Sequence, residues 1–244
     1  MNKIFKLLSK PGVIITPVVH DAITAKIAEK VGFEAVWVGG FGVAGATYGL
    51  PDVGLIGLSE LLTATKNIIN ATNLPVLVDM DGGYGNERNV VHTVGQLKSI
   101  GVIGGFLEDQ KHPKRCGHMN GKELISVEEM VLKIRAAKTI SNFFLCARTD
   151  AIAAENFDKA IERANAYICA GADMIFIEAP ENLDQLKRIP ELITRVPLLI
   201  NMLEGGKTPI CTKKELETYG YKMIAYPVTT LFSASYAIEN VWGF

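Results

Sequence analysis

Gly-Phe-Leu-Glu-Asp-Gln at residues 105–110 is an apolar run that ends in acids, and Lys-Arg-Cys-Gly-His follows closely at 114–118. Apolar segments elsewhere end in charge too, at Asp79 and Asp81, at Arg148 and Asp150, and at Glu178. Converging charged strand ends are how a parallel barrel builds a polar pocket. Working outward, the pattern predicts strands near 13–17, 35–39, 75–80, 104–108, 143–148, 173–178, 197–201 and 222–226. Helical spacing fills the gaps, as at 21–31, 87–99, 127–138 and 158–170. Gly32, Gly101, Gly171 and Gly220 fall where helices must stop before the next strand. Eight apolar strands with helical crossovers predict an α/β fold, one (β/α)8 TIM barrel with a parallel eight-stranded core, spanning 1–244 as a single domain. A doubly wound sheet would need a phosphate-type glycine fingerprint after the first strand, which Thr-Pro-Val-Val-His (16–20) does not supply.

The 244 residues are 48% hydrophobic and 21% charged, enough for one sizeable core. A net charge of −1 leaves no basic field for a nucleic-acid backbone. No apolar run approaches the roughly 20 residues that span a bilayer, and the amphipathic N-terminus lacks the core of a secretory signal. The expectation is a cytoplasmic protein without nucleic-acid or membrane partners. Four cysteines without a CxxC pair argue against a zinc site or disulfide framework. Cys146, Cys169 and Cys211 read as packing residues, whereas Cys116 sits among cations.

Asp79 and Asp81, two apart at a strand end, point the same way, and Glu108 ends the next strand. Hard oxygen donors of that kind suit Mg2+ rather than zinc. The thiol of Cys116, beside Lys114, Arg115 and His118, is expected to have a depressed pKa and to serve as a proton donor or nucleophile. Gly117 in the same loop is a candidate substrate contact. Arg148 ends an apolar strand and needs a partner, met by a ligand carboxylate or by Glu108 or Glu178. Glu178 can contact the ligand or orient Arg148. Asn201 and Glu204 read equally as ligand contacts or loop caps. Trp37, close to Gly39 and Gly40, is placed at the pocket rim, and His92 mid-helix reads as a surface or packing residue.

These stretches, with Tyr-Gly-Leu-Pro-Asp (48–52), Ala-Arg-Thr-Asp (147–150) and Asn-Met-Leu-Glu-Gly-Gly-Lys-Thr-Pro (201–209), resemble the isocitrate lyase / phosphoenolpyruvate mutase superfamily over nearly the whole chain. The cysteine motif is similar to that of its carbon–carbon lyase branch. The resemblance implies Mg2+ (Mn2+ as the alternative) near Asp79, Asp81 and Glu108, held partly through water and chelated by a small 2-hydroxy or 2-oxo dicarboxylate. It implies Lys114 and His118 stabilising carboxylate and enolate, Cys116 delivering a proton, Arg148 clamping a carboxylate, and Asp52 as a further site residue. It also implies a homo-oligomer, dimer or tetramer. Trp37 and Gly39 stand where the family's lyases have tyrosine and serine, which leaves the N–H groups of Gly40 and Phe41 for the product carboxylate. Two alternatives remain at this stage: a phosphorus–carbon bond mutase of the carboxyphosphonoenolpyruvate type, and a keto-acid-binding barrel without catalysis.

Overall fold

The computed structural model describes residues 2–115, 117 and 121–243. The strands are β1 (Ile14–Val19), β2 (Val36–Val38), β3 (Val76–Asp79) and β4 (Gly104–Glu108), then β5 (Phe144–Thr149), β6 (Met174–Ile177), β7 (Leu198–Asn201) and β8 (Met223–Tyr226). Every neighbouring pair is parallel and β8 returns to β1, so the barrel closes in chain order. Each of the eight predicted strands has its counterpart.

The helices are α1 (Lys3–Leu8), α2 (Ala22–Lys30), α3 (Gly40–Val43) and α4 (Leu58–Ala71), followed by α5 (Glu87–Ser99) and α6 (Val127–Lys138). Then come α7 (Ala151–Ala154), α8 (Phe157–Ala170), α9 (Leu183–Leu192), α10 (Lys213–Tyr219) and α11 (Thr229–Trp242). Their ends follow local chemistry. Asp21, Asn86, Asn156 and Thr212 accept backbone N–H bonds at the starts of α2, α5, α8 and α10. Gly171 and Gly220 end α8 and α10 with φ of 111°, a conformation open to glycine at no steric cost.

Two apolar layers result. Trp37, Leu77, Phe144, Cys146, Phe176 and Met223 fill the barrel interior, and the remaining buried residues pack strands against helices. The N-terminal end of the barrel is sealed by α1, which buries Ile4 and sets Phe5 edge-on to Phe144 at 5.4 Å. Asn2 fastens this plug by donating to the carbonyl oxygens of Ile103 (2.6 Å) and Asn142 (3.2 Å). One packing expectation fails. Cys169 is exposed, with Arg195 Nη1 at 3.4 Å from its Sγ. The inward stripe of α8 is Ala160, Ala164, Tyr167 and Ile168, and the residue after Ile168 turns away at 100° per residue, whatever its neighbours' polarity. Cys146 and Cys211 are buried as expected.

Candidate active site

The open end of the barrel is the C-terminal one, and the charged strand ends gather there. Asp79 closes β3, Glu108 closes β4 and pairs in register with Arg148 on β5, Glu178 follows β6, and Asn201 closes β7. Lys114, in the segment after β4, crosses above them, 2.6 Å from Asp52 Oδ1 and 2.8 Å from Asp81 Oδ1. A cavity of about 390 Å3 lies over this floor. Of the residues singled out in the sequence, Trp37, Gly39, Phe41, Asp52, Asp79, Lys114, Gly117, Arg148, Glu178 and Asn201 line it. Asp81 instead faces a second cavity on the far side of Lys114. Cys116 and His118 lie outside the described residues.

Two placements differ from expectation. Asp81 is not on the strand with Asp79. β3 stops at Asp79, and Asp81 takes φ of 47° in the turn that enters Gly82 and Gly83. Its N–H folds back to donate to Asp79 Oδ1 at 2.9 Å, so a turn rather than strand alternation brings the two carboxylates together. A Cβ built on Gly40 would stand 3.7 Å from Asp81 Oδ1 and 3.8 Å from both Asp79 Oδ2 and Lys114 Nζ, which marks how closely these groups converge. Trp37 is part of the barrel interior and only 2% exposed, so it forms the floor of the cavity instead of its rim. Its indole Nε1 has no hydrogen-bond partner among the described residues. The glycine at 39 has a steric reason, because a Cβ there would come within 2.7 Å of Val18 Cγ1.

Arg148 is the hub. Its Nε donates to Asp150 Oδ2 at 2.8 Å and its Nη2 to Asp150 Oδ1 at 3.1 Å. Glu108 Oε2 and Glu178 Oε2 each lie 3.3 Å from the guanidinium, which also stacks over the rings of Phe106 and Phe176. Asn201 Nδ2 donates to Glu178 Oε2 at 3.3 Å, while Glu204 accepts from the hydroxyl of Thr229. Three acids thus fix one cation at the base of the cavity.

The electrostatics are set by burial. It pushes the Glu108 carboxyl well above the usual range, more than the Arg148 charge draws it back. Burial, helped by the Asp81 charge, raises Asp79 to about 7. For Lys114 burial works against the ammonium, but the charges of Asp81, Asp79 and Asp52 outweigh it and hold the pKa well above normal.

Among the described residues, no three His, Cys, Asp or Glu side chains stand close enough together to hold a metal ion directly. The donors nevertheless fit a hard cation that keeps several of its waters. Among the described residues, both Glu108 oxygens are buried without a hydrogen bond, and Asp81 Oδ1 has an ion pair with Lys114 but no hydrogen bond. Carboxylate oxygens left so in a protein interior are costly unless another group completes them.

Sequence reasoning passed over three contributors. Asp150, legible in the sequence only as a strand-end charge, holds Arg148 with both oxygens. Tyr84, held at φ of 60°, lies beside Asp81. Lys122 is buried next to Asp150. The two-residue step from Arg148 to Asp150 was the available signal for the first, while nothing local marks Lys122.

The phosphoenolpyruvate phosphomutase family model matches residues 5–242. The chain is 43% identical over 243 residues to 2,3-dimethylmalate lyase of Eubacterium barkeri, covering 98% of this chain and 84% of that protein. It is also 43% identical over 238 residues to 2-methylisocitrate lyase of Halalkalibacterium halodurans, covering 97% and 79%. Oxaloacetate acetylhydrolase bound to the inhibitor 3,3-difluorooxalacetate superposes with a TM-score of 0.94 at 32% identity, covering 98% of this chain and 83% of that one. Phosphonopyruvate hydrolase in complex with oxalate and Mg2+ does so with a TM-score of 0.88 at 27% identity, covering 99% and 85%. A closed parallel barrel with acids, lysine and arginine at its C-terminal mouth, matched along its length by these proteins, makes this chain a member of the phosphoenolpyruvate phosphomutase family, within the isocitrate lyase / phosphoenolpyruvate mutase superfamily.

Proposed function

We propose that the chain is a Mg2+-dependent carbon–carbon lyase that cleaves a small 2-hydroxy or 2-oxo dicarboxylate to an α-keto acid or related product. The observation that carries this reading is the pair of Glu108 oxygens, without a hydrogen bond among the described residues, beside Arg148 and Lys114 under a cavity sized for a small acid. Asp79, Asp81 and Glu108 would hold Mg2+, or Mn2+ in its place, partly through water. Bound there, the ion would supply Lewis-acid polarisation of a substrate oxygen. Arg148, already oriented by Asp150, clamps a substrate carboxylate, and Lys114 offsets the charge that develops on the departing fragment. The N–H groups of Gly40 and Phe41 receive the keto-acid carboxylate. Glu178 and Asn201 hold the guanidinium side of the cavity, and Trp37 forms its apolar floor. Cys116 delivers the proton to the departing carbon, assisted by His118.

NMR of reactions with 2-methylisocitrate, 2,3-dimethylmalate and oxaloacetate, with and without EDTA, tests this. Turnover of at least one that EDTA abolishes is expected, and no turnover with Mg2+ present sinks the reading. The matched family model favours a second reading, a phosphorus–carbon bond mutase. Phosphonopyruvate turnover followed by 31P NMR separates the two, and Cys116→Ser removes lyase activity while a mutase is affected less.

The same reading includes a homo-oligomer. None of the residues of α11 is buried, and Tyr236, Val241 and Trp242 are 68%, 77% and 72% exposed. The helix is continuous with the site, since Phe232 lines the cavity and meets Phe41 edge-on at 6.1 Å. A helix that buries none of its residues and exposes large apolar side chains on several sides is covered by a second copy of the chain. Light scattering after size exclusion should give a multiple of 26.5 kDa.

A further inference from the structure

Lys122 belongs to none of the groups assigned above. Its side chain is 1% exposed, and its Nζ donates to Asp150 Oδ1 at 2.8 Å and to the carbonyl oxygen of Gly117. Asp150 already receives two bonds from Arg148, and its own N–H is taken by Asp109 Oδ1 at 3.0 Å. Arg148 is shared with Glu108 and Glu178, so Lys122 adds a second cation at Asp150, but the bond that sets it apart is the one to Gly117.

Gly117 follows Cys116 in the chain and lies hard against the hub. A Cβ on Gly117 would come within 2.6 Å of Arg148 Nη2 and 2.7 Å of Glu178 Cγ. The backbone at this point thus depends on a close approach from below and on the Lys122 bond at its carbonyl. A buried lysine–aspartate pair is commonly no more stabilising than well-packed apolar side chains of equal volume, so its presence here calls for a geometric reason.

We propose that Lys122 is a positioning residue for the reaction. It ties the Gly117 carbonyl to the same aspartate that orients Arg148, and so holds the backbone next to the cysteine in register with the carboxylate clamp. This inference rests on the lyase reading.

The test uses the full chain with Lys122→Met, which keeps an unbranched side chain one atom shorter and loses its charge, and with Lys122→Arg. In Lys122→Met, kcat on a dicarboxylate that the wild type cleaves should fall about 100-fold with KM within about threefold, the pattern of a lost transition-state interaction. Calorimetric affinity for oxalate with Mg2+ should stay within about threefold, because Arg148 keeps Asp150, and Lys122→Arg should recover at least about a tenth of the wild-type rate. Hydrogen exchange of the peptide spanning residues 111–122 should quicken about tenfold or more in Lys122→Met, as expected when a buried tie is lost, with the strands unchanged. Unchanged kcat, unchanged exchange, or a parallel loss of kcat, oxalate affinity and melting temperature would each overturn the inference. A wild type that cleaves none of the acids while the exchange difference persists removes the lyase reading alone.

Discussion

Glu108 and Asp109 are consecutive carboxylates, both 0% exposed, and they occupy opposite sides of one strand end. Glu108 turns into the mouth, where among the described residues neither oxygen has a hydrogen bond and Arg148 lies at 3.3 Å. Asp109 turns outward to α8. It accepts from Thr149 Oγ1 (2.7 Å), Tyr167 Oη (2.7 Å) and the Asp150 N–H (3.0 Å), with Arg163 Nη1 at 3.4 Å. Both pKa values are raised, chiefly by burial. Burial and a shifted pKa therefore do not distinguish a working acid from a structural one. What differs is satisfaction: Asp109 is complete within the fold, and Glu108 is left open on the side where a ligand would come.

The sharpest way to break this contrast is to neutralise each acid in turn. Glu108→Gln should lower kcat/KM about 1,000-fold or more, roughly 4 kcal/mol of transition-state stabilisation, with a melting temperature at or above that of the wild type. Removal of the divalent ion by EDTA should have a loss of similar size, restored by added Mg2+. Asp109→Ala should act the other way, costing about 3 kcal/mol of stability because Arg163 loses a buried acid, with turnover per folded molecule changed only a few-fold. Urea unfolding followed beside steady-state rates would expose a contrast that runs backwards.

A finer cut is Tyr167→Phe, which removes the Oη donor to Asp109 and leaves the ring in place. It should cost about 1 kcal/mol in urea unfolding and leave kcat unchanged. The smallest effect lies at the outer edge of the Asp109 network, where Arg163 Nη2 meets Glu155 Oε1 at 2.7 Å. The Arg163 bonds hold the Glu155 carboxyl below its ordinary 4.5. A depressed acid stabilises the fold above its unfolded pKa and loses that contribution as pH falls through the folded one. Glu155→Gln should thus be less stable than wild type by well under about 1 kcal/mol at pH 7, since the pair is partly exposed, and the two stabilities should converge as pH falls through the lowered folded-state pKa of Glu155. A gap that persists in acid would mean the pair contributes through packing instead.

The strand–helix alternation and the strand-end charges were legible because both are periodic and local. So were the helix stops at Gly171 and Gly220, whose left-handed backbone favours glycine. At Asp79-Met80-Asp81, strand alternation and a left-handed turn bring carboxylates together equally well, and only the backbone at Asp81 tells them apart. Lys122 was not legible at all. Its meaning lies in a bond to Asp150, 28 residues away, that no local pattern encodes.

Sequence alone determined the closed parallel barrel and the end of it that carries charge, because apolar spacing and chain polarity dictate both. Only the folded arrangement decided which buried acids are spent on the protein itself and which stay open. That choice depends on donors from α8 and β5 that meet Asp109 across the packed interior and pass Glu108 by.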